Sequence, residues 1–183
     1  MDFKNKKFQT ISEILPVISL NSSSIKEDIL VVANGDLFFS LKCLKSHINY
    51  QYRVLSFISG VDYINSKYRF GVVYDILSLV NNSRLRVKAF VNESTFVNSV
   101  MDIYINSDWW EREVFDMYGI HFINHKDLRR ILTDYGFEGN PQRKDFPLSG
   151  FIELRYDLTK KRVVSEPVEL AQEFRVFSSE KTW

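Results

Sequence analysis

Three features of this chain predict an α+β fold: a mixed sheet with flanking helices, followed by a long extended C-terminal segment. Strand signals cluster between Ile29 and Ala89. Helical apolar spacing flanks them on both sides. Beyond Gly119 regular periodicity weakens, although large apolar residues continue toward the end of the chain.

Each element has its own reason. Phe8, Ile11, Ile14 or Leu15, and Ile18 recur at helical spacing, and Pro16 marks where that helix ends. Ile29 to Ala33 is a short apolar run before Asn34-Gly35, which reads as a buried strand and a turn. Asp36 then caps a helix with apolar positions at Leu37, Leu41, Leu44 and Ile48. Tyr50, Tyr52 and Val54 open another strand, ending near Ser59-Gly60. A pair of strands flanks Asn81-Asn82-Ser83: the first spans Arg69 to Leu77, the second Arg84 to Ala89. The second alternates basic and apolar residues, which puts one face on a core and one in water. Val97, Val100, Met101 and Tyr104 have helical spacing. Asp108 reads as the N-cap of a further helix, with Glu111 reaching back to it and Gly119 ending it.

From Ile120 onward, Gly136, Gly139, Pro141, Pro147, Gly150 and Pro167 punctuate the chain. The same segment keeps Phe122, Leu128, Ile131, Phe137, Phe146, Phe151, Tyr156, Phe174 and Phe177, residues in which a disordered tail is depleted. An extended segment must bury such side chains on a surface. The expected division is an α+β domain over 1–120 and an extended segment over 121–183 that docks on a partner.

Composition excludes several classes. At 183 residues and net charge +1, one domain with an extension is expected, and the near-neutral balance argues against nucleic acid as partner. Cys43 is the single cysteine, too few for a disulfide or for the four ligands of an iron–sulfur cluster. No apolar run approaches the ~20 residues that cross a bilayer; Gly71 to Val80 is interrupted by Asp75. The start, Met-Asp-Phe-Lys, lacks the apolar core of a secretory signal and the Arg-rich character of a transit peptide.

The densest chemistry lies between Trp109 and Leu132, where paired indoles, carboxylates and arginines alternate. This mixture of large aromatics and Arg is typical of interface centres. His121 and His125 are four apart, but in extended chain that separates them by about 13 Å, too far to share a metal ion. Glu111, Glu113 and Asp116 beside Trp109 and Trp110 raise the alternative of a carbohydrate-active enzyme. Carboxylates two apart on a helix, however, do not face each other across a cleft. Gly136 and Gly139 form no dinucleotide fingerprint, and no phosphate loop or nucleophile elbow is present. Arg129-Arg130, Arg143-Lys144 and Lys160-Lys161-Arg162 are basic but interleaved with Asp127, Asp134, Asp145 and Asp157, a pattern suited to protein contacts.

The order of these residues resembles one family. Glu111-Arg112-Glu113, two residues, Asp116-Met117-Tyr118, six residues, His125, three residues, Arg129, one residue and Ile131-Leu132 is similar to the signature of the 30-kDa subunit of respiratory complex I, called subunit 9 when mitochondrially encoded. The similarity continues through Ile131 to Phe137, Arg143 to Leu148 and Arg162 to Leu170, and upstream through Arg69 to Leu79 and Ser83 to Lys88. Asn140 and Gln142 depart from it, standing where relatives often carry His and an apolar residue.

The resemblance implies a peripheral-arm subunit of the quinone-reducing module, without flavin or cluster of its own. FMN and iron–sulfur clusters are expected on partner subunits, and this chain is expected to be a scaffold for electron transfer from NADH to quinone. Its implied partners are the quinone-site subunit and the terminal iron–sulfur cluster subunit. The implied location is the matrix side of the mitochondrial inner membrane, or the cytoplasmic face of a bacterial membrane. The residues expected at the partner interface are Trp109, Trp110, Glu111, Arg112, Glu113, Asp116, His125, Asp127, Arg129, Arg130, Arg143, Lys144 and Asp145.

Overall fold

The computed structural model describes Ile11 and residues 14–22, 28–170, 172 and 175–177. Phe8 and Phe174, on which the sequence reading also drew, lie outside them. The chain divides into two compact units, Met1–Lys144 and Asp145–Trp183.

The first unit is built on a five-stranded sheet in the order β1-β2-β5-β4-β3. These strands are β1 (Val17–Ser22), β2 (Asp28–Val32), β3 (Val54–Asp62), β4 (Phe70–Ser78) and β5 (Ser83–Val91). β2 and β5 run parallel while the other neighbours are antiparallel, so the sheet is mixed. The parallel pair requires a crossover from β2 to β5, which carries helix α1 (Leu37–Ser46) and the β3–β4 hairpin. Helix α2 (Ser107–Tyr118) follows the sheet, between the short parallel strands β6 (Val97–Asn98) and β7 (Phe122–Ile123).

Period-two alternation sorts the sheet's side chains. Phe70, Val72, Tyr74 and Ile76 of β4 and Leu85, Val87, Ala89 and Val91 of β5 share one face. They form a single core with Leu37, Leu41 and Leu44 of α1 and Val114 of α2. Burial of each large apolar side chain contributes on the order of 1.5–3 kcal/mol.

Five local expectations differ from the structure. Val97 to Tyr104 is not a helix: Val97 and Asn98 pair with β7, and Ile103 and Tyr104 N–H both turn back to Val100 O. Two successive turns bury the same side chains that a helix would. Helix α2 begins two residues earlier than expected, with Asn106 at the N-cap position, and Asp108 lies in its first turn. Ile18 belongs to β1, not to the N-terminal helix, and Ile48 is exposed beyond the end of α1. The second unit holds an antiparallel hairpin, β8 (Ile152–Asp157) and β9 (Arg162–Pro167), within the expected extended segment.

The expected division at residue 120 and the observed one at 144 differ for a physical reason. Apart from β7, residues 121–144 are irregular in backbone, but their hydrogen bonds end within the first unit, on β6, α2 and Asp62.

Candidate partner-docking site

Helix α2 is the centre of the site. Its amphipathic pattern turns Val114 and Met117 into the core and leaves Trp109 66% exposed. Trp110 packs against the core edge, whereas Trp109 stands in water with the Arg112 guanidinium 5.6 Å from its ring centroid. Gly119, in the left-handed conformation at φ 74°, ends the helix and donates to Phe115 O at 2.9 Å.

Two of the acidic residues of α2, Glu111 and Asp116, point inward. The Glu111 side chain is fully buried; Oε1 accepts from Val100 N–H at 2.8 Å and Oε2 from Ser99 Oγ at 2.6 Å. It does not reach back to cap its own helix. Burial pushes its carboxyl above the usual range, opposed by the Ser99 hydroxyl and the Val100 amide. The His125 side chain is equally buried. Its Nδ1 accepts from Asp127 N–H at 3.2 Å, and Nε2 stands 3.2 Å from Asp108 Oδ1 and 3.8 Å from Glu111 Oε2. With Nδ1 accepting, Nε2 is the ring nitrogen that faces the two carboxylates.

Asp116 holds a loop. Its Oδ2 accepts three successive backbone N–H groups, Ile131 at 3.2 Å, Leu132 at 2.8 Å and Thr133 at 2.9 Å, and Oδ1 accepts from Thr133 Oγ1 at 2.7 Å. Burial alone would raise this carboxyl, but the Thr133, Leu132 and Ile131 donors outweigh it and hold it below the usual range. Arg130 Nη1, 3.7 Å from Asp116 Oδ1, donates to Phe137 O at 3.0 Å.

Residues 140–144 close the other end. Four carbonyls at the end of a helix lack intrahelical partners. Here Gly119 takes Phe115 O, Asn140 Nδ2 donates to Asp116 O at 2.9 Å, Gln142 N–H to Met117 O at 3.1 Å, and Arg143 Nε to Tyr118 O at 2.6 Å. Lys144 N–H then donates to Asp62 Oδ2 at 2.9 Å, and Arg69 grips the same carboxylate through Nε and Nη2. These contacts hold the Asp62 carboxyl below its usual range against the opposing effect of burial. Arg143 also lies 5.1 Å from the Phe70 ring centroid and 3.5 Å from Glu93.

The structure therefore sorts the expected interface residues by orientation. Glu111, Asp116 and His125 face the interior and support the surface from below. Arg112, which donates to Arg129 O at 3.2 Å, and Arg130 and Arg143 are tied to backbone carbonyls. Trp109 and Arg129 stand outward, the latter paired with exposed Asp127 at 3.0 Å. Glu113 is half-buried, and Lys144 and Asp145 are exposed. Leu132, Tyr135 and Phe137 add exposed apolar surface on the same anchored run, which the sequence reading did not assign. Ser99, Thr133, Asp62 and Asn140 were also missed as supports; each acts on a partner distant in sequence.

The carbohydrate-enzyme alternative has no support in this geometry. Glu111 is closed in by Ser99 and Val100, and Asp116 by its loop, so neither carboxylate opens onto a cleft. His121 lies edge-on to Phe115 and Phe96, at 5.1 and 5.9 Å, in extended chain.

Comparison with known proteins assigns the family. The family model described as "Respiratory-chain NADH dehydrogenase, 30 Kd subunit" matches residues 30–152. NADH dehydrogenase (ubiquinone) iron-sulfur protein 3 of Arabidopsis thaliana is 56% identical over 151 residues, covering 82% of this chain and 80% of that protein. NADH-ubiquinone oxidoreductase subunit 9 of Reclinomonas americana is 53% identical over 154 residues, covering 84% and 76%. Among solved structures, a chain of the archaeal membrane-bound sulfane sulfur reductase, a respiratory membrane complex, superposes with a TM-score of 0.68. It covers 79% of this chain and 86% of that one at 21% identity, a likeness of fold alone. A match that spans helix α2 and the run it anchors, with relatives above half identity, makes this chain a member of the 30-kDa subunit family of the respiratory-chain NADH dehydrogenase, complex I.

Proposed function

We propose that this chain is a non-catalytic docking subunit in the peripheral arm of proton-translocating NADH:ubiquinone oxidoreductase. It supports electron transfer from NADH to quinone by holding neighbouring subunits in place. One observation carries the reading: Arg112, Asp116 and the C-terminal carbonyls of α2, with Asp62, anchor the run 129–144, and α2 and that run together present Trp109, Arg129, Leu132 and Tyr135 outward. Large aromatics and Arg, exposed yet fixed, lose little entropy on docking and suit an interface. A carboxylate already saturated by backbone donors has little capacity left for acid–base work.

The partners we propose are the quinone-site subunit and the terminal iron–sulfur cluster subunit. FMN and the clusters belong to partner chains; a single cysteine supplies one thiolate of the four a cluster needs. No helix among the described residues is long and apolar enough to cross a membrane. Attachment through partners on the matrix side of the mitochondrial inner membrane, or on the cytoplasmic side in a bacterium, is the proposed location. The second unit serves the same role. Its hairpin puts Ile152, Leu154, Tyr156 and Val163 on one exposed face, and a two-stranded hairpin alone is marginal in water.

Assembly tests the reading. In cells carrying Trp109→Ala with Tyr135→Ala, native gels should show a reduced amount of assembled complex, while the purified subunit melts normally. Full assembly and full NADH:quinone activity would contradict it.

A further inference from the structure

One end of the sheet is apolar where the ends of strands are ordinarily polar. The turn between β4 and β5 carries Leu79 and Val80, and the loop that follows α1 carries Ile48. Ile105 stands two residues before α2. Each of these four side chains is more than two-thirds exposed. A hairpin turn needs Gly, Asn or Asp for its backbone, not Leu or Val, so the two apolar side chains serve nothing within the turn.

Hydrogen bonds lock the three segments to one corner of the sheet. Asn81 Nδ2 donates to Asn49 O and to Tyr50 O, each at 3.0 Å, which ties the turn to the loop of Ile48. Gln51 Nε2 donates to Ile48 O at 2.9 Å. The third segment reaches the start of β3: Tyr104 Oη donates to Tyr52 O at 2.6 Å and Asn106 Nδ2 to Leu55 O at 2.8 Å. Val54, between them, pairs with Leu77 near the end of β4. The exposed side chains thus stand on backbone that is already ordered, and covering them costs little further entropy.

We infer that this corner docks on an uncharged, apolar surface of a neighbouring protein chain, continuous with the cover over Trp109. Clustered apolar side chains left in water mark an interaction site. Charge selects the occupant first. Residues 46–52 and 78–83 contain no Lys, Arg, Asp or Glu, so the patch offers a charged partner nothing to pair with. Of the flanking cations, Lys45 donates to Ile103 O and Arg84 pairs with Asp75 at 3.6 Å, which leaves Arg53. An anionic lipid surface is read by clusters of about four or more such residues. Continuity selects it second. Asp108 N–H turns back to Ile105 O at 3.5 Å, so Ile105 leads directly into the first turn of α2, where Trp109 stands outward. The inference rests on the reading of this chain as a docking subunit and extends that surface past α2.

Substitutions in the turn test it. Val80→Asp and Val80→Lys should each sharply lower the fraction of the subunit incorporated into the complex on native gels, and Val80→Ile should retain it. The melting temperature of the subunit should hold in all three, because the side chain is exposed. In the intact complex the Val80→Cys variant should be protected at residue 80 from an aqueous maleimide, read by mass spectrometry, and should react there once the complex is dissociated. Equal reactivity before and after dissociation overturns the inference, whatever the charged variants do to melting. Normal incorporation of both charged variants overturns it as well. So does normal incorporation of Val80→Lys beside a loss with Val80→Asp, since the cover is then acidic, from protein or lipid. The Trp109→Ala, Tyr135→Ala variant reads the docking role of the α2 surface by itself; a loss there beside normal Val80 variants removes this inference alone.

Discussion

Asp116 and Thr133 are joined twice across 17 positions of sequence, by the Thr133 amide at 2.9 Å and the Thr133 hydroxyl at 2.7 Å. With Ile131 and Leu132 donating to the same carboxylate, the loop is fixed by one buried side chain. Asp116→Ala strands these donors. These donors are only partly buried, so water replaces the carboxylate in part, and the loss is roughly 1–3 kcal/mol. The expected result is a lower denaturant midpoint and faster proteolytic cleavage near Thr133. Unchanged cleavage would mean that the loop is held by something else.

The two buried carboxylates give opposite pH signatures. Asp116 has a depressed folded pKa, so its contribution is fully present above the ordinary carboxylate range and is lost as pH falls below about 4. Glu111 has a raised folded pKa, so its ionisation opposes folding, and stability falls as pH rises above about 4.5 toward that value. Melting curves across this range should show Asp116→Asn losing the acid-side dependence. Glu111→Gln should flatten the fall on the other side. The same profile in wild type and both variants would contradict the assignment.

Gly119 is required by both conformation and space. A Cβ there would stand 2.5 Å from Arg143 Nη2 and 2.8 Å from Asn140 Oδ1. The left-handed backbone adds about 1–2 kcal/mol for a non-glycine residue. Gly119→Ala should destabilise the subunit by more than that strain alone and free the 140–143 run, seen as faster amide exchange at Gln142. Gly60→Ala should also destabilise, because its Cβ would meet the Tyr118 ring at 2.5 Å.

Much of the fold was legible in the sequence because it is local. The apolar run Ile29–Ala33, the alternation Arg84–Ala89 and the Gly119 stop each carry their own periodicity or backbone demand. Helical spacing misled at Val97–Tyr104, where turns bury the same positions. The hairpin at Ile152–Asp157 also alternates apolar and polar residues, yet its proline- and glycine-rich surroundings outweighed that signal. The resemblance located the site region, but not the direction each side chain points. Glu111 and Asp116 read as surface acids because their charge is a local fact. Their partners, Val100 and Ile131 to Thr133, come together only in the fold. Asn140 shows the same limit: its amide serves the helix end through Asp116 O, a use invisible in sequence.

If the outward half of the anchored run docks on partner subunits, its exposed cation must matter to assembly more than to folding. Arg129 tests it most directly. Its side chain is 71% exposed, and the ion pair it makes with Asp127 is equally open to solvent, so it contributes little to the fold. Arg129→Glu should leave the melting temperature of the isolated subunit nearly unchanged. If Arg129 is buried and paired in the assembled interface, reversing its charge weakens association by on the order of 2–5 kcal/mol. The decisive measurement is the fraction of this subunit incorporated into the complex on native gels, beside that melting temperature. A large loss of incorporation with unaltered melting is expected; full incorporation with lowered melting would contradict the docking role.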